Sequence, residues 1–291
     1  MSWTPVYAQG EPGSGIGGYD LKSKADRVFA LDYNSSGQLD HLCLYRPGTG
    51  AFFIIRNQGG TFSPVYSQGD PGSGIGGYDL KHVNDVAFAF DYESTGKLDH
   101  IVLYRPGYGA IYILKRSGTT WTPVYAQGHL GSGIGGYDLK SANDRIFAFD
   151  YNHSGRQDHL ALYRPGKGTF FILKRSGTTW SAVYAQGDPG SGIGGYDLGQ
   201  TADRAFALDY DSSGKLDHIA LYRPGTGTFW ILKNSSAVFA EGDPGNGVGG
   251  YDLSSVEDKV LAFDYEGSKK ADHLVLYRTN ATGTIWLLKH T

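Results

Sequence analysis

The 291-residue sequence contains a single cysteine, which excludes an intrachain disulfide. Cys43 lies in the apolar run Leu42-Cys43-Leu44, and Val or Ala takes its place in the other copies of the repeat described below. We therefore interpret Cys43 as a small buried hydrophobic residue and not as a nucleophile.

The sequence also lacks a strong charge of either sign. Its 26 Lys and Arg and 29 Asp and Glu residues give a net charge of -3, and the basic residues recur singly. A basic patch is the footprint of nucleic-acid binding, so we expect no nucleic-acid partner. No apolar run reaches the length of a membrane span, and residues 1–4 do not have the pattern of a secretory leader, so we expect none. We expect a soluble protein that is either cytoplasmic or exported by a non-classical route. The sequence is also compatible with a homo-oligomer.

Helix-forming residues are scarce, whereas glycine is abundant, with 44 residues, and aromatics make up 14% of the chain. This composition favours short strands joined by tight turns. The phrase Gly-Gly-Tyr-Asp-Leu returns with its tyrosine spaced by 59, 59, 59 and 55 residues, at Tyr19, Tyr78, Tyr137, Tyr196 and Tyr251. Repeats of this length cannot each bury an apolar face alone, so we predict one domain, residues 1–291, of five repeats.

Each repeat contains four runs with the pattern of β-strands. In the first complete copy they cover residues 27–33, 41–46, 51–56 and 61–67, and Pro64 in the last run is typical of a sheet edge. Four antiparallel strands per unit, repeated five times, predict an all-β fold, a five-bladed β-propeller of four-stranded blades.

The two ends of the chain carry complementary pieces of a blade. Trp3 to Gln9 match a fourth strand without a preceding blade, and Ile285 to Lys289 match a third strand without a following one. We therefore expect the N-terminal strand to complete the last blade, which would close the propeller by three strands plus one.

Connections in such a blade alternate between two faces. We define face A by the Gly-Gly-Tyr-Asp-Leu crossovers and the Arg-Pro-Gly-x-Gly turns, and face B by the loops such as Asp32 to Gly37. The glycine-rich crossovers match a dinucleotide fingerprint in spacing, but five copies without a following helix argue against nucleotide binding. Glycine at positive φ would instead let each crossover follow the rim closely.

Face A collects a crossover Tyr and Asp, the Arg that ends strand two, and an aromatic residue of strand three. Two interpretations stay open for the Arg, namely a structural clamp with the crossover Asp and a polar pocket with an aromatic floor. The candidate ligand-binding residues are Tyr19, Asp20, Arg46, Tyr78, Asp79, Arg105, Tyr137, Asp138, Arg164, Tyr196, Asp197, Arg223, Trp230, Tyr251, Asp252, Arg278 and Trp286.

Face B carries loops that place oxygen-bearing side chains at alternate positions before a Gly and a second Asp, an arrangement that can wrap a calcium ion. These loops carry fewer acidic residues than true calcium loops. We therefore favour loops without calcium, in which the Asp caps its own turn by hydrogen bonds. No cofactor is expected, and calcium is the alternative. The weak calcium candidates are Asp32, Asn34, Asp40, Asp209, Asp211 and Asp217.

The dipeptide Asp-His begins strand two of every repeat, as at Asp40-His41. Because neighbours along a strand point to opposite sides, we expect the two side chains not to pair, and the histidine to donate to a neighbouring strand or loop. No combination of nucleophile, base or paired acids stands out once among the repeats, so we predict that the protein is not an enzyme.

Two family resemblances follow from these phrases. The face B loops resemble the calcium loops of FG-GAP propeller repeats. The combination Gly-Gly-Tyr-Asp-Leu, Asp-Arg-x-Phe-Ala-Phe-Asp-Tyr and Leu-Tyr-Arg-Pro-Gly-x-Gly resembles the Photorhabdus lectin (PLL-like) family over essentially the whole chain. That resemblance implies a β-propeller that binds fucose or methylated sugars between blades, although the best-known members have seven blades.

A lectin also agrees with the residue types, because sugars need an aromatic surface beside a few fixed polar groups. Repetition compensates for weak single sites through multivalency. We therefore predict a multivalent lectin whose partners are glycans or glycoconjugates. The alternative is a calcium-stabilised structural or protein-binding propeller of the FG-GAP type.

Overall fold

The computed structural model describes residues 7–8, 13–266, 268–278 and 284–290. The chain forms two compact units. Unit 1 comprises Met1–Ile134 with Asp138–Ala142, and unit 2 comprises Gly135–Tyr137 with Asn143–Thr291. The prediction of a single domain stays a prediction.

Unit 1 contains two antiparallel sheets, each with its strands in sequence order. Blade 1 consists of β1 (Arg27–Leu31), β2 (His41–Arg46), β3 (Ala51–Gln58) and β4 (Thr61–Gln68). Blade 2 consists of β5 (Val86–Phe90), β6 (His100–Arg105), β7 (Ala110–Ser117) and β8 (Thr120–Gln127).

Unit 2 contains three antiparallel sheets of the same topology. Blade 3 consists of β9 (Arg145–Phe149), β10 (His159–Arg164), β11 (Thr169–Ser176) and β12 (Thr179–Gln186). Blade 4 consists of β13 (Arg204–Leu208), β14 (His218–Arg223), β15 (Thr228–Lys233) and β16 (Ser236–Glu241). Blade 5 has β17 (Asp258–Phe263), β18 (His273–Arg278) and β19 (Thr284–Lys289).

The predicted fold class is confirmed: the protein is all-β, and its five antiparallel sheets are the blades of a five-bladed β-propeller. The described part of the chain contains no helix, and hence none that could cross a membrane.

The predicted closure involves residues 3–6 and 9, which lie outside the described residues. Tyr7 is described, and its hydroxyl donates to Gly15 O at 3.1 Å, as Tyr66 of β4 does to Gly74 O at 3.2 Å. Tyr7 thus has the contact of a fourth-strand tyrosine.

Pro64 lies in β4, the edge strand of blade 1, as predicted. Between Ile54 and Ile55 of β3 the register with β4 shifts, because Ile54 pairs with Tyr66 and Ile55 with Pro64. The bulge leaves Val65 without a partner in the ladder. A proline without an N–H is tolerated in such a strand because its outer side needs no ladder hydrogen bond.

The cores lie between consecutive blades of a unit. In unit 1, Phe52 and Ile54 of β3 pack with Ile75 of the next crossover and Ile101 of β6, all fully or almost fully buried. Equivalent clusters join blades 3 and 4, and blades 4 and 5. Cys43 belongs to the first cluster, where burial raises the pKa of its thiol well above the usual value, as expected for a structural residue.

The crossover glycines adopt the positive φ that the sequence predicted. Gly74 has φ +76°, and a Cβ there would lie 1.8 Å from Tyr78 O, so no other residue fits. On face A, the turn between β2 and β3 donates from Gly48 N to Leu80 O of the next crossover at 3.0 Å. On face B, Asp32 N donates to Leu98 O at 3.0 Å. The face A bond, which recurs to Leu139, Leu198 and Leu253, holds these crossovers beside the end of strand two, where the candidate residues lie.

Candidate functional site

The side chain of Arg223, at the end of β14, is surrounded by carboxylates from two crossovers. Its Nε donates to Asp203 Oδ1 at 2.7 Å and its Nη2 to Asp197 Oδ1 at 2.6 Å, while its Nη1 donates to Asp243 Oδ2. Asp197 and Asp203 precede β13, and Asp243 follows β16. The guanidinium therefore ties the crossover entering blade 4 to the crossover leaving it.

Tyr196 lies beneath this cluster. Its ring centroid is 5.5 Å from the guanidinium carbon of Arg223, and its hydroxyl donates to Asp203 Oδ1 at 2.8 Å. Tyr196 is only 3% exposed, and burial, with the nearby Asp203 carboxylate, raises the pKa of its hydroxyl far above the usual value. The ring supports the cluster from below and offers no open face to solvent.

The same arrangement recurs in the other repeats. Every crossover Tyr is buried, with exposures of 2–4%, and donates its hydroxyl to a buried or nearly buried Asp seven residues later. The contacts are Arg46 with Asp20, Asp26 and Asp70; Arg105 with Asp79 and Asp85; Arg164 with Asp144 and Asp188; and Arg278 with Asp252 and Asp258. In unit 1, Asp138 Oδ1 accepts from Lys140 N at 3.0 Å.

The first crossover Asp differs from the second because it is exposed. The side chains of Asp20, Asp79, Asp197 and Asp252 are 50%, 52%, 68% and 60% exposed. One oxygen accepts from Arg and from a backbone N–H, as Asp197 Oδ1 does from Gly199 N at 2.9 Å. Within the described residues, Oδ2 of Asp20, Asp79 and Asp197 has no protein donor. The cluster thus holds a rigid carboxylate with a free oxygen at the surface.

These contacts keep the exposed carboxylates ionised. For Asp20, the hydrogen bond from Arg46 is the main cause of a pKa below its usual range. For Asp197, partial burial acts in the opposite direction, but the Gly199 N–H and Arg223 still lower its pKa. A carboxylate fixed in this way is a strong acceptor for hydroxyl groups.

The strand-three aromatic lies on the edge of the same buried tyrosine. Trp230 meets Tyr196 edge-on at 5.9 Å between centroids, and its Nε1 donates to Glu241 O at 2.7 Å. Trp230 is partly exposed and Trp286 is 40% exposed. The equivalent pairs are Phe53 with Tyr19, Tyr112 with Tyr78, Phe171 with Tyr137 and Trp286 with Tyr251, at 5.3–6.0 Å.

The structure therefore brings Tyr, Asp, Arg and an aromatic residue together within a repeat, and both interpretations of the Arg contribute. Arg223 is a clamp, while Asp197 faces solvent. Sequence reasoning missed the second, buried acid of each cluster. Its signal was present, because Asp recurs seven residues after each crossover Tyr, at Asp26, Asp85, Asp144, Asp203 and Asp258.

On face B, the first Asp of each loop caps its own turn. Asp209 Oδ1 accepts from Ser213 N at 2.8 Å and Oδ2 from Gly214 N at 2.7 Å. Asp32 accepts from Ser36 N and Gly37 N in the same way, at 2.8 and 2.7 Å. Both oxygens are therefore engaged by backbone donors. Asn34 lies in the same loop, which ends at Asp40 directly before β2.

A lysine of strand three provides the positive charge beside the acidic loops. Lys233 Nζ lies 2.5 Å from Asp211 Oδ2 and 3.6 Å from Asp217 Oδ2. Asp211, Asp217 and His218 are close enough to hold a metal ion. However, the Lys233 ammonium group already lies beside both carboxylates. Burial acts to raise the pKa of Asp211, but the hydrogen bond from Lys233 helps to outweigh it, so the pKa is lowered.

The expectation for the Asp-His dipeptides was wrong. His41 Nδ1 lies 2.6 Å from Asp40 Oδ1, and the same pairing occurs in all five repeats at 2.6–2.8 Å. The reason is that β2 begins at His41, so Asp40 lies before the strand and outside its alternation. The five histidines are 0–4% exposed, and burial lowers the pKa of His218. The histidines lie inside the fold, at the end of strand two that is away from face A, whereas the Asp40 side chain is 36% exposed.

The repeated antiparallel blades place the chain in the β-propeller class. No protein-family profile and no curated protein matches the sequence, so the likeness to PLL-like lectins stays a resemblance.

Among solved structures, the fold is similar to an Agrocybe aegerita lectin described as recognising non-reducing terminal N-acetylglucosamine. The TM-score is 0.51 and the identity 19%, over 93% of this chain and 66% of that one. This chain thus spans just under two thirds of the lectin's length. A putative 6-phosphogluconolactonase from Bacteroides uniformis matches with TM-score 0.45 and 8% identity, over 87% of this chain and 65% of that chain. The Cps50 (Swd1) propeller domain of Myceliophteria thermophila matches with TM-score 0.44 and 10% identity, over 87% of this chain and 67% of that chain.

Proposed function

We propose that this protein is a multivalent, non-enzymatic lectin that binds monosaccharide units of glycans at the repeated clusters of face A. The observation that carries the proposal is the exposed carboxylate of Asp197, which Arg223 anchors, on the same crossover whose Tyr196 meets the partly exposed ring of Trp230. A sugar offers hydroxyl groups to a fixed acceptor and apolar C–H groups to an aromatic surface.

The residues of a cluster divide into two roles in this proposal. Asp197 and Trp230 contact the sugar, because both retain exposed surface. Arg223 and Tyr196 are positioning residues, because they are buried and their polar atoms are directed to acids of the protein. Such a rigid site loses little conformational entropy on binding.

Fucose-type or methylated sugars are the proposed ligands, and the resemblance to PLL-like lectins supports this choice. The Agrocybe aegerita lectin, described as specific for terminal N-acetylglucosamine, supports a glycan ligand and adds that sugar to the candidates. Because strand three carries Phe53, Tyr112, Phe171, Trp230 and Trp286 at equivalent positions, the sites should be unequal in affinity.

A glycan array incubated with the labelled protein, with and without a calcium chelator, tests the proposal. We expect retention on glycans ending in fucose, methylated sugars or N-acetylglucosamine, unchanged by the chelator because the face B loops are capped internally. Retention on no glycan would refute the lectin. A structural or protein-binding propeller would then replace it.

A further inference from the structure

Blade 2 lacks one carboxylate that three other blades have. Asp70, Asp188 and Asp243 each accept a hydrogen bond from Nη1 of the arginine that ends strand two. The equivalent residue after blade 2 is His129, which is followed by Leu130 where the other three repeats have proline. The guanidinium of Arg105 therefore meets one acid fewer than that of Arg46.

The missing contact leaves a donor without a partner. Arg105 Nε donates to Asp85 at 2.7 Å, and Nη2 donates to Asp79 and Asp85 at 2.5 and 2.8 Å. Within the described residues, Nη1 has no acceptor, although Arg105 is only 9% exposed. A guanidinium N–H that is held in place and has no protein acceptor can donate to an incoming anion.

The backbone around this group is also different. In blades 1, 3 and 4 a crossover glycine donates to the turn before strand three, as Gly72 N does to Thr49 O at 2.9 Å. After blade 2, Gly131 N donates instead to Gly128 O at 2.9 Å. Tyr108 O therefore lacks the glycine donor that its equivalents have, although the crossover still reaches this turn through Gly133 N, which donates to Gly109 O at 3.1 Å.

Aromatic rings lie at the same place. The ring of Tyr108 stacks on His129 at 4.8 Å, and His82 meets it edge-on at 4.9 Å. The equivalents of Tyr108 are Thr49, Lys167 and Thr226, so this cluster of three rings belongs to blade 2 alone among the first four blades. The rings supply an apolar surface next to the arginine, as a sugar ring requires.

We propose that blade 2 carries a distinct site for a carboxylate-bearing sugar, in which the ligand's carboxylate accepts from Arg105 Nη1 and its ring lies against Tyr108 and His129. The other blades show that this cluster accommodates a third carboxylate. This inference rests on the proposed lectin function, but the ligand of blade 2 is an acidic sugar, whereas the sites of the other blades take neutral sugars.

The test titrates the full-length protein with sodium glucuronate, glucose and sodium acetate, and follows the arginine Nε–H and histidine C–H signals by NMR. We expect glucuronate to shift the signals of Arg105 and His129 at concentrations about tenfold or more below those that glucose requires, because one charge-assisted hydrogen bond accounts for such a factor. Acetate should compete. Equal responses to glucuronate and glucose, or no competition by acetate, would overturn the proposal.

Two variants sharpen the test. His129→Asp restores the carboxylate of the other blades and should weaken glucuronate binding by about tenfold or more. Conversely, Thr49→Tyr/Asp70→His/Pro71→Leu frees Arg46 Nη1 in blade 1, supplies both rings and should add a second site. Should the first variant fail to fold, the second decides. Wild-type glucuronate binding in His129→Asp, or no added site in the triple variant, contradicts the proposal.

The outcome is separable from that of the lectin proposal. A protein that binds neutral glycans but not glucuronate loses this inference alone. A protein that binds glucuronate at Arg105 and no neutral glycan keeps this site and loses the face A sites of the other blades.

Discussion

The hydroxyl of Tyr196 donates to the fully buried carboxylate of Asp203 at 2.8 Å. Asp203 also accepts from Arg223, and this shared acid holds the crossover, β13 and β14 together. The exposed Asp197 is anchored by the same arginine. One cluster therefore contains a buried structural acid and a surface acid that can contact a ligand, and the two roles can be separated by substitution.

The buried acid should determine stability. Asp203→Asn leaves Arg223 partly unpaired in the interior, and we expect the free energy of unfolding to fall by about 3–5 kcal/mol, measured by urea denaturation. The matched control is Asp197→Asn, which should cost less than ~1 kcal/mol because the pair is exposed. Equal losses for the two variants would contradict this division.

Two neighbours on β15 should behave differently. Phe229 is fully buried, so Phe229→Ala should cost about 3–5 kcal/mol. Trp230 is partly exposed, so Trp230→Ala should cost less and remove one sugar site among several. Thermal melts and calorimetric titration measure the two effects. A loss for Trp230→Ala as large as that for Phe229→Ala, with all sugar sites retained, would assign Trp230 to the core.

Much of the fold could be predicted because each repeat restates the same strand pattern. The predicted second strand, residues 41–46, coincides with β2, because an apolar run between turn residues limits it on both sides. The third strand extends two residues past the prediction, to Gln58, because hairpin pairing with β4 continues through polar residues.

The sequence indicated which residues form the site, but it revealed less about how they are arranged. Asp40 and His41 pair because the strand begins between them, which a period-two pattern cannot reveal. The contact of Arg46 with Asp70, 24 residues away, depends on how the crossover returns along the rim. Sequence also could not show that Tyr19 would be buried beneath the arginine.

The ionised surface acids predict a simple pH dependence. The pKa values of Asp79 and Asp197 lie below the ordinary 3.8, since arginine and backbone N–H groups outweigh partial burial. A pKa lowered by folding contributes stability above 3.8, and that contribution is lost as the pH falls through the lower folded value. Sugar affinity should thus be constant between about pH 7 and pH 5 and decline only in stronger acid. A decline between pH 7 and pH 5 in calorimetric titrations would contradict this assignment.

Chelation should have little effect on stability. Both oxygens of Asp209 accept backbone hydrogen bonds, and Lys233 neutralises Asp211, so the loop needs no cation. Thermal melts with and without a chelator should coincide. Calorimetric binding of several calcium ions per chain, or a melting temperature lowered by many degrees, would favour the FG-GAP type of propeller.

The central claim is that the exposed crossover acids bind sugar, and calorimetric titration with the monosaccharide that the array selects tests it most directly. The wild type should bind fewer than five equal equivalents. A variant with Asp20, Asp79, Asp197 and Asp252 each changed to Asn should melt near the wild-type temperature and bind sugar at least about tenfold more weakly at those sites. Unchanged binding by the folded variant would contradict the account.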